Sequence, residues 1–138
     1  MKPSAPLIAM LALVGVAGPA AAQKGPAWGS GKTVAITVTN DGFAPARIVL
    51  KSGRHYTLRF HNVSNRGNNF SAQKFCDSAR VAPRDARLVH DDEVNLDAGQ
   101  VATVRIIAPD TPGAAFTYRS TVLADAGRKM KGDIYIVR

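Results

Sequence analysis

Short runs in which apolar and polar residues alternate, separated by turn-forming residues, recur along this chain and constrain its fold more than any other feature. Residues 34–38 and 55–63 both carry apolar side chains at alternate positions. A period of two is typical of a β-strand with one buried face. β-Branched residues dominate 101–108, and shorter runs at 116–120 and 133–137 predict two closing strands.

Turn residues separate these runs. Asn40-Asp41-Gly42 predicts a tight turn, and Pro45 indicates an edge or bulged strand in the next run. Residues 71–79 lack alternation and suit one or two helical turns, whereas residues 80–100 predict a loop with short pieces of strand. Many short strands at even spacing favour an all-β, Greek-key β-sandwich with one short helical segment.

The N-terminus has the layout of a bacterial secretory signal peptide. Lys2 precedes an apolar run at 7–16, and Pro19 and three alanines follow, so cleavage is predicted after Ala22. The apolar run is shorter than the roughly 20 residues that a spanning helix needs. We therefore expect no membrane span and a monomeric periplasmic or secreted protein. The predicted organisation is a signal peptide at 1–22, a flexible N-terminal lead at 23–32 and one domain at 33–138.

The chain is basic, with a formal charge of +8. Lys2 is the only charged residue of the predicted signal peptide, so cleavage would lower this charge by one, to +7. The lysines and arginines are scattered, without a basic run or interleaved aromatics. This pattern favours a solvated surface and no nucleic-acid partner. The alternative is a basic face that docks on an anionic surface of the cell envelope.

Three longer segments together resemble the cupredoxin family, the plastocyanin and azurin type of β-sandwich. "ITVTNDGFAPARIVLKSG" is similar to the opening signature, and "YTLRFHNVSNRGNNF" is similar to the strand and loop that lead to the first copper ligand. "FTYRS" with "MKGDIYIV" resembles the closing strands and the ligand loop. The resemblance implies the sandwich fold and a site built from two imidazoles, one thiolate and a weak axial thioether.

The resemblance also implies which residues stand at the four ligand positions. Asn68 stands where the first histidine is expected, Ser120 replaces the thiolate, Asp125 replaces the second histidine, and Met130 matches the axial ligand. Only the weakest ligand remains, so we expect a degenerate site without a type 1 copper centre and no cofactor. Copper at an atypical site is the alternative. A buried unpaired aspartate is costly, so Asp125 should be near the surface or paired with Arg128 or Lys129.

Other candidate metal ligands form no chelating pattern. Cys76, the only cysteine, is expected to be shielded on the helical segment, although Cys76 and Met130 are the alternative soft-metal pair. His55 and His61 share a strand face but lie about 20 Å apart. His90 falls in a solvated turn.

Enzyme signatures are absent from the sequence. We therefore predict an exported, non-catalytic binding or accessory module that acts on an envelope protein or an anionic surface. The alternatives are an atypical copper protein for electron transfer or copper handling, and a basic interaction protein.

Overall fold

A computed structural model describes residues 27–122, 125–128 and 130–138 of the chain. Within these residues, ten strands form two five-stranded sheets, in the orders β2-β1-β4-β8-β6 and β3-β10-β9-β5-β7. A short helix and a 3₁₀ helix lie between strands. The elements are β1 Lys32–Val38, β2 Phe43–Ala44, β3 Arg47–Lys51, β4 His55–Asn62, β5 Asn68–Ser71, α1 Gln73–Ser78, β6 Arg80–Val81, the 3₁₀ helix Pro83–Leu88, β7 Glu93–Leu96, β8 Val101–Ile107, β9 Ala115–Arg119 and β10 Lys131–Val137.

This architecture confirms the predicted β-sandwich with one short helical segment. Each alternating run became a strand, because a period of two places every second side chain between the sheets. In β4 the inward set is Tyr56, Leu58 and Phe60, and in β10 it includes Ile134 and Ile136. The predicted loop at 80–100 contains β6 and β7, which are the short pieces of strand expected there, and also the 3₁₀ helix, which was not predicted.

Aromatic packing joins the three segments that carried the cupredoxin resemblance. The Phe70 ring stacks on Tyr118 at 4.7 Å, and Phe43 meets both rings edge-on. The Tyr118 hydroxyl donates a hydrogen bond of 2.8 Å to the carbonyl oxygen of Pro45. A Cβ atom at Gly132 would lie 2.3 Å from the Tyr118 ring, so only glycine fits beneath this aromatic residue. The ends of β5, β9 and β10 are thereby fixed relative to one another.

The N-terminal part of the predicted organisation falls largely outside the described residues. This applies to the signal peptide at 1–22 and to the first residues of the lead. Trp28, in the remainder of the lead, meets the His55 ring edge-on at 6.0 Å. In the part of the chain that the structure describes, no helix is long and apolar enough to span a membrane.

Candidate functional site

The four predicted ligand positions are placed by the ends of three strands. Asn68 is the first residue of β5, Ser120 follows β9, and Met130 precedes β10. The Ser120 backbone N–H donates to the Met130 carbonyl oxygen at 2.9 Å, which brings these two positions side by side. Asp125 lies in the intervening loop and is buried, as are Asn68 and Met130.

Asp125 makes the central polar contacts of the site. The Ser120 hydroxyl donates to its Oδ2 at 2.5 Å, and the Arg66 guanidinium forms an ion pair with its Oδ1. The Asp125 side chain has no solvent exposure, whereas that of Arg66 is 24% exposed. The carboxylate is therefore paired, as expected, but its partner is Arg66. The proposed partner Arg128 instead lies 3.6 Å from the exposed Asp41, and Lys129 lies outside the described residues.

Arg66 links three loops, a role that was not predicted from the sequence. It stands in the loop between β4 and β5, and its guanidinium also donates to the side-chain and backbone oxygens of Asn40, at 3.2 and 3.1 Å. Asn40 belongs to the turn after β1, and Asp125 to the loop after β9. The one available signal is that Arg66 lies two residues before the first ligand position, in "NVSNRGNNF".

Asn68 faces a different set of polar groups. Its Nδ2 donates to the Ser64 hydroxyl at 2.8 Å, and its buried Oδ1 has no hydrogen-bond partner among the described residues. Buried Asn62 holds this loop in place by donating to three backbone carbonyls, including that of Arg66. Asn68 thus belongs to the network inside its own loop, whereas Ser120 and Asp125 interact directly.

A second network lies beside the site, at Asn69. Its Nδ2 donates to Glu93 at 3.0 Å and to Thr121 at 2.6 Å, and its Oδ1 accepts the Thr121 backbone N–H at 2.8 Å. The Thr121 hydroxyl in turn donates to Glu93 at 2.9 Å. The side chains of Asn69 and Glu93 therefore fix the start of the loop after β9 to β5 and β7.

The residues present do not fit a type 1 copper ion. Such a site needs a thiolate and two imidazoles, but these positions offer a hydroxyl, an amide and a carboxylate. The carboxylate is already neutralised by a guanidinium, whose positive charge opposes a second cation. Among residues 27–122, 125–128 and 130–138, no group of three or more histidine, cysteine, aspartate or glutamate side chains could hold a metal ion.

The remaining candidate ligands are dispersed. The Cys76 thiol donates weakly to the Asp92 carbonyl oxygen at 3.6 Å, and burial, with Asp92 and Asp77 nearby, raises its pKa to about 11. The adjacent Phe75 packs on Phe116 of β9. Phe116 lies four residues before Ser120, which corresponds to about 14 Å along an extended strand. Helix α1 therefore lies at a different level of the sandwich from Met130.

The three histidines occupy separate places in the fold. His55 and His61 lie on β4, six residues apart on its outer face, and both are half-buried. His90 forms an isolated bridge with Glu93 just before β7. Six residues of an extended strand span about 20 Å, so the imidazoles of His55 and His61 cannot share one ion.

The chain belongs to the cupredoxin-like domain family, whose model matches residues 6–114. The fold is shared with blue copper proteins and with domains of larger oxidases. An auracyanin from Roseiflexus castenholzii aligns with a TM-score of 0.58 at 18% identity, over 80% of this chain and all of that one. Auracyanin A from Chloroflexus aurantiacus, a blue copper protein, aligns with a TM-score of 0.50 at 15% identity, over 75% of this chain and 98% of that one.

A multicopper oxidase from Pediococcus acidilactici aligns with a TM-score of 0.58 at 11% identity, over 76% of this chain but 25% of that one. These identities are low enough that the likeness establishes the fold alone. No curated protein matches the chain.

Proposed function

We propose that this protein is an exported cupredoxin-like module that binds a partner, has no catalytic activity and carries no type 1 copper centre. The observation that carries the proposal is the contact of Asp125 with Arg66 and Ser120. Two of the four ligand positions are engaged in this hydrogen-bonded group, and a third, Asn68, bonds to Ser64. The loops are held by charge pairing and hydrogen bonds, where a copper protein of this family would use metal bonds.

Electrostatics adds a second argument against copper. A copper ion at this position would have to displace the Arg66 guanidinium from the buried Asp125 carboxylate, or bind beside that positive charge. Neither step is compensated by a thiolate, which supplies the defining bond of a blue site. We therefore expect no high-affinity type 1 binding.

Copper(II) titration of the exported protein tests this proposal. We expect no intense absorption from a copper–thiolate bond, no copper after purification, and a melting temperature that copper leaves unchanged, because a ligand stabilises a fold only through its affinity for that fold. A blue wild-type protein, or one that retains stoichiometric copper after dialysis, would overturn the functional assignment.

Reconstruction of the site is the converse test. Asn68→His, Ser120→Cys and Asp125→His restore the expected ligands, but they leave the Arg66 guanidinium without its carboxylate. The variant should therefore also carry Arg66→Gln, and we expect copper(II) to turn this fourfold variant blue. The same protein without Ser120→Cys is the matched control and should remain colourless. A folded but colourless fourfold variant would refute the assignment of ligand positions.

Export is part of the proposal and has its own test. It is supported by the sequence of residues 1–22, which carries the features of a cleaved leader. Expression in a bacterial host should yield a periplasmic protein that begins at Gln23, measured by intact mass. A mature protein that still begins at Met1 would contradict the assignment to the periplasm.

A further inference from the structure

An open cleft of about 350 Å³ lies between α1 and β9, away from the ligand positions described above. Lys74 of α1 and Arg119 of β9 line it, together with the polar side chains of Ser71, Gln73 and Thr117. Of the described residues that line the cleft, none is acidic. The cleft therefore offers two cations and several neutral hydrogen-bonding groups to a ligand.

The backbone of β9 contributes a free edge to this cleft. Every second residue, from Ala114 just before β9 to Ser120 just after it, directs its N–H and C=O groups to the β10 side. The residues between them direct theirs to the opposite side. On that side β5 pairs with β9 only at Ser71 and Arg119. In the part of the chain that the structure describes, no strand lies beside the Thr117 backbone N–H, which therefore faces the cleft, and Thr117 is exposed.

The charges around the cleft point to an anionic ligand. Arg119 and Lys131 stand directly opposite each other on β9 and β10, and both are exposed. Like charges in this cross-strand position destabilise a sheet. No acidic side chain among the described residues forms a salt bridge with Lys74, Arg119 or Lys131. Two carboxylates lie near the cleft without lining it. Asp133 of β10 lies opposite Thr117. Glu93 of β7 lies opposite Ser71, and its carboxylate already accepts hydrogen bonds from Asn69 and Thr121.

We propose that this cleft binds an oxyanion, the carboxylate or phosphate group of a partner molecule, between Lys74 and Arg119. The Thr117 backbone N–H and the Ser71 hydroxyl supply the neutral donors. Guanidinium and ammonium groups form stronger hydrogen bonds to oxyanions than neutral donors do. The proposal rests on the proposed binding function, because it names the site and the chemical class through which a non-catalytic module would recognise its partner.

Titration of ¹⁵N-labelled protein with inorganic phosphate, and separately with glutarate, tests the site. Ionic strength is held constant with sodium chloride, so that screening of surface charge does not change. We expect saturable shifts centred on the amides of Thr117 and Arg119. Arg119→Gln and Lys74→Gln should each raise the dissociation constant about tenfold, which corresponds to the loss of one charged hydrogen bond.

Arg87→Gln is the matched control, because Arg87 is an exposed arginine on the 3₁₀ helix and outside the cleft. It should leave the dissociation constant unchanged. Tighter binding of phosphate identifies a phosphoryl group as the source of the anion, and tighter binding of glutarate identifies a carboxylate. Shifts that do not saturate, or an equal loss in Arg87→Gln, would overturn the proposal.

Copper(II) titration of the same samples separates this proposal from the one on function. Lys74 and Arg119 supply neither thiolate nor imidazole, so their variants should respond to copper as the parent does. A protein that stays colourless but shows no specific anion shifts refutes the oxyanion site alone. A blue protein that still binds phosphate in the cleft refutes the copper-free assignment alone.

Discussion

Replacing Arg66 with methionine should be among the more destabilising single changes at the ligand end of the sandwich. Methionine keeps much of the length of the side chain but removes the guanidinium that pairs with Asp125. The Asp125 side chain has no solvent exposure, so its carboxylate would remain buried, and the Ser120 hydroxyl would be its remaining side-chain donor among the described residues. The chain must then either keep an unpaired buried charge or open the loop to water.

Breaking a buried ion pair by removing one partner costs roughly 3–5 kcal/mol. Arg66 is 24% exposed, so solvent already screens part of the interaction, and we expect the lower end, about 3 kcal/mol. For a domain of this size, a loss of about 3 kcal/mol lowers the melting temperature by roughly 10–15 °C. Urea unfolding followed by circular dichroism measures the free energy of unfolding directly.

A double-mutant cycle with Asp125→Asn sharpens the test. Asparagine keeps one oxygen that can accept from the Arg66 guanidinium, and its NH₂ group can donate to the Ser120 hydroxyl in place of the bond that is lost, so the single change should cost only about 1 kcal/mol. Adding it to Arg66→Met should restore stability, because the stranded charge is gone. Arg128→Met is the control: Arg128 also donates to the Asn40 carbonyl, but its 3.6 Å pair with Asp41 is exposed, so the loss should be below about 1 kcal/mol. Equal effects of the two arginine substitutions, or no rescue by Asp125→Asn, would refute the reasoning.

Two further predictions concern groups whose pKa is raised by burial. The pKa of the Cys76 thiol rises from 9.0 to about 11. At pH 8 the folded protein should therefore react with a disulfide reagent about 100-fold more slowly than an ordinary thiol does. Rapid labelling of the folded protein would contradict this. Burial, with Asp133 adding to the effect, raises the pKa of Tyr118 from 10.0 to about 12. Tyr118 therefore keeps its proton to a higher pH in the folded state than in the unfolded state. Its contribution to the free energy of unfolding is intact below pH 10 and falls by roughly 2–3 kcal/mol as the pH rises through 12. Urea unfolding between pH 9 and 12 should show a shallower loss in Tyr118→Phe than in wild type, and equal slopes would contradict the assignment.

The strands could be predicted because their determinants are local. Alternation in residues 55–63 and β-branched side chains in residues 101–108 specify which face of each segment is buried, whatever the rest of the chain does. The short helix at Gln73–Ser78 was predicted from the loss of that alternation. The positions of Ser120 and Met130 at the facing ends of β9 and β10 likewise follow from two recognisable closing segments.

The partner of Asp125 could not be predicted in the same way. Arg66 lies 59 residues earlier in the chain, and the contact depends on how the loops at the end of the sandwich converge. Sequence proximity favoured Arg128, which the loop instead directs outward to Asp41. The cleft beside Arg119 also could not be predicted from the sequence, because it forms where β5 diverges from β9 and α1 lies over the gap. Scattered basic residues in the sequence become a local cluster only in the folded chain.

The two proposals are connected by the way the ligand end of the sandwich is stabilised. A metal that holds loops together contributes its binding free energy to folding, so losing its ligands should weaken the loops unless other contacts replace them. Here the Arg66 guanidinium contacts both the Asn40 turn and Asp125, and Asn69 fixes the residues just after Ser120. The loop end is therefore held by side chains of the protein itself. Under the copper-free proposal, these contacts take the place of a metal in holding the loops, and the proposed recognition chemistry lies on another face, in the cleft beside Arg119.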